Sequence, residues 1–129
     1  MPPEPGFRVT YRRTFRQEDF DRFAAVSGDD NPIHVDPEYS ARTRFGRPVA
    51  HGMLLYAVMS RVVAEAFPGT VQREVQMTFP APTYAGDEME FDAVVHSAAG
   101  EGATLGLRIV APDGEVTCSG DMVVRWDPR

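Results

Sequence analysis

Hydrophobic and polar residues alternate along five segments of the chain, and this two-residue period predicts β-strands. The first segment lies near the N-terminus, and the other four follow one another in the C-terminal half. Short connections that contain glycine, Gly100-Glu101-Gly102 and Pro112-Asp113-Gly114, separate the last three segments and are typical of antiparallel hairpins. The predicted strands span residues 7–15, 71–80, 87–98, 103–111 and 115–126.

Two other segments have a helical pattern. Residues 17–26 place apolar side chains at helical spacing, and Gly28 follows where such a helix would end. Residues 52–67 are apolar on nearly every side for three turns, which predicts a helix enclosed by the sheet and by a loop or a second subunit. Pro68 and Gly69 end this second helix.

The segment between the two helices, residues 29–48, has no regular period. It contains Asn-Pro, Asp-Pro and Arg-Pro pairs, which interrupt regular structure, and only residues 37–43 indicate a helical turn. Loops of this length are usually functional or disordered. Because Ile33, Val35 and Phe45 give this one apolar surface to bury, we predict an ordered, functional loop.

The order of these elements predicts an α+β fold in a single domain over residues 1–129. An antiparallel sheet wrapped around one long buried helix is the arrangement of the hotdog fold. The long terminal strands of such a sheet leave an unpaired edge, which a dimer could pair into a continuous sheet.

The composition limits the possible partners. The chain has 129 residues and a net charge of −6, which argues against nucleic-acid binding, since that needs a basic face. No apolar stretch is long enough to span a bilayer, and the N-terminus lacks the pattern of a signal peptide. The single cysteine, Cys118, cannot form an intrachain disulfide. These features predict a cytoplasmic protein without nucleic-acid or membrane partners.

Two motifs at the ends of the predicted loop contain the candidate catalytic groups. Residues 27–34 read SGDDNPIH, and residues 51–55 read HGMLL. Asp29 is a candidate base and His34 a candidate acid, because an imidazole exchanges protons near neutral pH. Gly52 opens the second helix, where backbone N–H groups lack intrahelical partners and can hold a developing negative charge. Together the motifs predict acid–base chemistry beside a carbonyl group.

With RPVAHGMLL at residues 47–55, the first motif closely resembles the MaoC-like dehydratases, and within them the (R)-specific enoyl-CoA hydratases. The resemblance covers the chain in length and order of elements. It implies a hotdog fold, a homodimer or dimer of dimers, and reversible hydration of a trans-2-enoyl thioester to an (R)-3-hydroxyacyl thioester in fatty acid metabolism. It implies that Asp29 and His34 are the catalytic pair and that Gly52 supplies the oxyanion amide. It also places at Ser60 a serine that contacts the catalytic region.

Three further residues are candidate contacts for the substrate. Asn31 can lock the turn between the catalytic residues, and it can also orient Asp29 or the reacting water. Tyr56, near Ser60 on the second helix, could reshape the acyl pocket. Arg47 could bind the phosphates of coenzyme A or of a phosphopantetheine arm. An equal alternative is that Arg47 belongs to a basic stretch that contacts only solvent. No metal or resident cofactor is expected, since coenzyme A or phosphopantetheine only carries the acyl group.

Other interpretations of these residues stay open. His34 could be an ordinary polar residue of a turn, and Ser60 could bond back to the carbonyl four residues earlier. A metal could bind Asp29, His34 and His51, although their spacing is not that of zinc sites. His51 is more simply interpreted as a residue that shapes the entry to the second helix.

Two other functions are compatible with the predicted fold. A hotdog acyl-CoA thioesterase would usually need a carboxylate on the central helix, where the chain offers only Glu65 near the C-terminal end. A non-catalytic subunit that binds acyl thioesters would be expected to lack the acid–base pair, and this chain keeps both members. The hydratase interpretation is therefore favoured over both alternatives.

Overall fold

The computed structural model describes residues 3–127, which form five strands and four helical segments. The helices are α1 (Gln17–Ser27), α2 (Pro32–Val35), α3 (Pro37–Ala41) and α4 (Gly52–Ala66). The strands are β1 (Arg8–Thr14), β2 (Thr70–Thr78), β3 (Glu88–Ala99), β4 (Gly102–Val110) and β5 (Val116–Trp126). All five predicted strands and both long helices are confirmed, with ends that differ by at most two residues. None of the helices in the described range has the length and apolar character of a membrane span.

The strands form one antiparallel sheet in the order β1-β3-β4-β5-β2. Strands β3, β4 and β5 follow one another through hairpins, so β1 and β2 are left at the two edges. The pairing of β2 with β5 shifts register between Gln72 and Glu74, which is a bulge in the edge strand. With α4 packed against one face, this sheet has the predicted hotdog arrangement.

The core lies between α4 and that face of the sheet. Burial alternates along β4, as expected for a strand with one face against a core, and follows a helical period along α4. Cys118 belongs to this core, and burial raises the pKa of its thiol to about 11. The largest fully buried side chains include Phe15, Phe20, Met59, Val63, Met89, Phe91, Val95, Leu105, Ile109, Met122 and Val124.

One side of α4 is not covered by the described chain, so the prediction of a helix enclosed on nearly every side holds only in part. Met53 is 64% exposed, and Ala57 and Arg61 follow it on the same side at four-residue intervals. A groove of about 690 Å³ separates this side of the helix from β1. Five strands of a single chain are too few to surround α4, although its sequence is apolar on most sides.

The segment between α1 and α4 contains more regular structure than the predicted loop with one turn. Pro32 begins α2 and Pro37 begins α3, and each follows a residue whose side chain caps the helix. Asn31 Oδ1 accepts from the N–H of Ile33, and Asp36 Oδ1 accepts from N–H groups in the first turn of α3. The Asn-Pro and Asp-Pro pairs were interpreted as breakers, but here they start helices, because proline fits the first helical position.

The packing of α4 predicts the effect of truncating its methionines. Met59→Ala should lower the free energy of unfolding by about 2–5 kcal/mol, because it leaves a cavity at a fully buried position. Met53→Ala on the exposed side should change it by less than about 0.5 kcal/mol. Urea unfolding followed by circular dichroism measures both, and equal losses would contradict this assignment of the buried side.

Candidate active site

The end of α1 sets the position of Asp29. Gly28 has a φ of 81°, a left-handed conformation that glycine adopts without strain, and its N–H donates to Ala24 O at 2.9 Å. The N–H of Asp29 then donates to Ser27 Oγ at 3.1 Å. These bonds fix the backbone of Asp29 while its side chain stays 55% exposed.

The short helix α2 sets the position of His34. Asn31 caps this helix through its side chain, and its backbone carbonyl accepts from the N–H of His34 at 2.9 Å. The N–H of Asn31 also lies 3.5 Å from Asp29 Oδ1. Asn31 therefore has the predicted turn-forming role, and it links the turn to the carboxylate through its backbone.

The His34 ring is buried and held in one orientation. Its Nδ1 lies 2.8 Å from the carbonyl oxygen of Val49, and because a carbonyl only accepts, Nδ1 carries the proton of the neutral ring. The other nitrogen, Nε2, faces Asp29 Oδ2 at 3.7 Å. That distance is longer than a hydrogen bond, so the two groups face each other across a gap.

Gly52 begins α4 and opens onto the same cavity as His34. The cavity has a volume of about 270 Å³, and its lining also includes Phe45, Val49 and Phe79. The N–H of Gly52 has no acceptor among residues 3–127, as expected at the first position of a helix. A Cβ at this position would lie 3.1 Å from the Phe79 ring. Glycine therefore lets the ring approach this closely, and any larger residue would require the ring to shift.

His51, the residue before α4, lies against both members of the predicted pair. It is 1% exposed, its ring stacks on that of His34 at 3.8 Å between centroids, and its Nε2 lies 2.9 Å from the Asp29 carbonyl oxygen. Nε2 therefore donates, and Nδ1 is a buried acceptor without a partner in the described chain. An unsatisfied buried acceptor typically costs about 1–3 kcal/mol.

The surroundings of His51 favour its neutral form. Burial lowers the pKa of His51 below its ordinary value of 6.5, and the neighbouring His34 lowers it further. The Asp29 carbonyl and carboxylate raise the pKa of His51 but do not reverse the shift. The site thus places a neutral imidazole against the candidate acid.

The same three residues are the candidate metal ligands, since one atom of each lies within 4.8 Å of the others. An imidazole binds a metal through a lone pair that lies in the plane of its ring. The rings of His34 and His51 are stacked with only 24° between their planes, so one ion cannot lie in both ring planes. This geometry does not suit a metal held by both histidines of the cluster.

The structure does not bring Ser60 to the predicted pair. Ser60 Oγ donates to Gln72 Oε1 at 3.1 Å, and Tyr56 Oη donates to the same oxygen at 3.2 Å. Ser60 lies eight residues beyond Gly52, which is about 12 Å along a helix. Within this chain, Tyr56 and Ser60 instead join α4 to β2.

The predicted phosphate contact, Arg47, already has partners in this chain. Its guanidinium lies 3.7 Å from Asp87 Oδ2 and 4.1 Å from the centre of the Tyr84 ring. Arg44 stacks on Phe45 and lines the cavity that contains His34. No ion pair of Arg44 is found within residues 3–127.

Sequence reasoning missed two groups that shape the site. The carbonyl of Val49, which fixes the His34 ring, is a backbone atom, and the type of side chain at that position does not reveal it. Gln72 is a polar residue in a strand that was identified by its alternation, so it appeared to be an ordinary exposed position. Only the fold shows that its side chain reaches α4.

Comparisons with known proteins show which family and which proteins this chain is similar to. The family model described as MaoC like domain matches residues 2–106. The chain is 32% identical over 126 residues to the (R)-specific enoyl-CoA hydratase of Aeromonas caviae, which covers 95% of this chain and 94% of that protein. It is 30% identical to the 3-hydroxybutyryl-CoA dehydratase of Methylorubrum extorquens, over 95% of this chain and 80% of that protein.

A solved structure shows the same fold. The (R)-hydratase from A. caviae involved in PHA biosynthesis matches with a TM-score of 0.91 at 32% identity, over 96% of this chain and 97% of that chain. The predicted hotdog fold is confirmed by this match.

The burial of His51 predicts a pH dependence of stability. Because His51 stays neutral in the fold, the unfolded chain takes up the additional proton as the pH falls below 6.5, and stability is lost in that range. The loss in thermal midpoint from about pH 7.5 to about pH 5.5 should therefore be smaller in His51→Phe than in the wild type. His96→Phe, at an exposed position, should keep the wild-type dependence. Identical profiles for all three proteins would contradict a buried neutral His51.

Proposed function

This chain belongs to the MaoC-like domain family, and we propose that it is a hydro-lyase that converts trans-2-enoyl thioesters to (R)-3-hydroxyacyl thioesters and catalyses the reverse dehydration. The names of both relatives support this reaction and support coenzyme A as the carrier of the acyl group. No resident cofactor is needed, because water is the only second substrate.

The observation that carries the proposal is the gap of 3.7 Å between Asp29 Oδ2 and His34 Nε2. Two polar atoms at this separation can share one water molecule. The same cavity contains the free N–H of Gly52. The proposed base thus faces the proposed acid across the gap, and the acid shares its cavity with the hydrogen-bond donor for an oxyanion.

The chemistry follows from the polarity of the substrate. The β-carbon of an enoyl thioester is electrophilic, because its double bond is conjugated to the carbonyl group. Asp29 removes a proton from water as the water oxygen bonds to the β-carbon, and the π electrons move toward the thioester oxygen. His34 enters this step with a proton on each ring nitrogen, gives the proton on Nε2 to the α-carbon and becomes neutral with its remaining proton on Nδ1. The proton held by Asp29 then returns to Nε2 before the next turnover. Because both residues act through one water, they approach the double bond from the same face, and we expect syn addition.

The carbonyl of Val49 assigns the acid role to one nitrogen of His34. It accepts the Nδ1 proton in both protonation states of the ring, so only Nε2 gains and loses a proton. This nitrogen is the one that faces Asp29. The hydrogen bond also prevents rotation of the ring, so Nε2 faces the gap even before water or substrate binds.

Gly52 is proposed to hold the negative charge that develops on the thioester oxygen. Its N–H points from the first turn of α4, where the helix dipole also favours negative charge. A donor of this kind typically contributes about 3–4 kcal/mol to the transition state. The nearby Phe79 ring covers the glycine, which limits access of water to that oxygen.

The geometry does not favour the thioesterase alternative. Glu65 is exposed and binds Arg61 through a hydrogen bond of 2.8 Å on the surface of α4. It lies thirteen residues beyond Gly52, which is about 20 Å along the helix. The carboxylate of Glu65 is therefore far from the cavity that would hold the thioester.

Substitution of the catalytic pair tests the proposed mechanism. Asp29→Asn and His34→Gln should each lower kcat for hydration of crotonyl-CoA by about 100- to 10,000-fold, because each removes one proton-transfer group. The loss of enoyl absorbance measures the rate.

Two matched variants serve as controls. Asp30→Asn changes the exposed residue next to Asp29, and His96→Gln changes an exposed histidine outside the cavity. Both variants should retain wild-type rates. Rates near wild type for Asp29→Asn or His34→Gln would contradict the assignment. Release of free thiol in step with the loss of absorbance would instead indicate a thioesterase. Rates with acyl-carrier-protein substrates in place of crotonyl-CoA would show whether that carrier is preferred.

The edge strand β2 supports a homodimer as the working form. Its outer edge has no neighbouring strand in the described chain, and its apolar residues Val71 and Val75 are 43% and 38% exposed. Such an edge is a template for pairing with a second copy. The dimer would extend the sheet across β2 of both subunits.

Light scattering after gel filtration tests the proposed dimer. The wild type should have twice the mass of the chain, and Val75→Arg should shift it toward the monomer, because the substitution puts a charge into the apolar edge. Val26→Arg is the control, since Val26 is 86% exposed at the end of α1, away from β2. A monomeric wild type at all concentrations, or dissociation only in the control, would contradict pairing through β2.

A further inference from the structure

His51 contacts both members of the catalytic pair in different ways. Its Nε2–H donates a hydrogen bond of 2.9 Å to the backbone carbonyl of Asp29, and not to the carboxylate. It contacts His34 through the ring face, with the centroids 3.8 Å apart. On a further side, the Phe23 ring packs against it edge-on at 4.9 Å. One side chain thus connects the end of α1, helix α2 and the start of α4.

A purely structural residue would not need to be a histidine here. A phenyl ring could fill the same space between Phe23 and His34 and would not bury an unsatisfied nitrogen. The imidazole adds a single group, the Nε2–H, and that donor binds the backbone of the residue that carries the base. No group of residues 3–127 bonds the buried Nδ1, so the Nε2–H is the hydrogen-bonding group through which this ring acts on its neighbours.

We infer that His51 is a positioning residue for the hydration, which holds the carboxylate of Asp29 and the ring of His34 at their separation across the gap. This inference rests on the proposed function. The hydrogen bond fixes the backbone from which the Asp29 side chain extends, and the stacked ring prevents His34 from tilting out of its plane. Because His51 does not line the cavity that contains His34 and Gly52, it acts through the catalytic pair and not on the substrate.

Two substitutions separate the contributions of the ring and of the donor. His51→Phe keeps a ring against His34 and removes the hydrogen bond to Asp29. His51→Gln keeps an N–H donor and removes the ring. His96→Phe and His96→Gln are the matched controls at an exposed strand position outside the cavity.

Each His51 variant should lower kcat for crotonyl-CoA by about 10- to 100-fold, because displacement of a catalytic group by about 1 Å has effects of that order. KM should change by less than about threefold, since binding of the thioester does not use His51. The thermal midpoint of each variant is measured beside kcat, so that a lower rate of the folded enzyme is distinguished from a smaller folded fraction. A merely structural role would lower the midpoint and leave kcat of the folded enzyme unchanged.

A measurement on the unmodified enzyme keeps the inference testable if a variant fails to fold. Nitrogen-15 NMR of the three histidines should show that neutral His51 carries its proton on Nε2. The titratable groups that face it are Asp29 and His34. A neutral His51 with its proton on Nδ1 would overturn the inference, and so would kcat within about twofold of wild type in both folded variants. Neither result would affect the proposed function, which the wild type and the Asp29 and His34 variants test separately.

Discussion

Three hydrogen bonds between the two sequence motifs hold the candidate site together. The N–H of Val49 donates to Ile33 O at 3.0 Å, and the Val49 carbonyl accepts from His34 Nδ1 at 2.8 Å. Two residues later, His51 Nε2 donates to Asp29 O at 2.9 Å. These bonds place a short extended segment alongside the turn that carries the acid and the base. Without them, the two motifs would be separate loops with no fixed distance between their side chains.

The rest of the fold supplies rigid ends for this junction. Helix α1 is anchored in the core by Phe20, which is fully buried, and its last turn delivers Asp29 through Gly28. Helix α4 is anchored by Leu54 and Leu55 in its first turn, which places the N–H of Gly52 at the cavity. The site therefore lies where one packed helix ends and another begins, and its precision comes from burial of the two helices against the sheet.

The elements were predictable from sequence because their signals are local. Alternation and helical spacing identified the five strands and the two long helices, and the two motifs bring His34 and Gly52 to one cavity with Asp29 facing His34 across the gap. The role of Ser60 was inferred from the resemblance, and the role of Arg47 was inferred from its charge. In this structure, each of the two side chains is bound to another residue of the chain. Contacts of this kind depend on where β2 and the segment before β3 lie in space, and no local pattern encodes that placement.

Protonation is the final constraint on the site, because a carboxylate and two imidazoles crowd within 4.8 Å. Different physical causes act on the two imidazoles. Burial removes the charge from His51, so it adds no positive charge beside the acid. The Val49 carbonyl fixes the proton on Nδ1 of His34, so exchange takes place only at the nitrogen that faces the gap. The exposure of the Asp29 side chain keeps that carboxylate in contact with solvent, from which the reacting water must come. A site with the same residues but an exposed His51 would place a second titrating ring beside the acid, and proton transfer would no longer be confined to one pair of atoms.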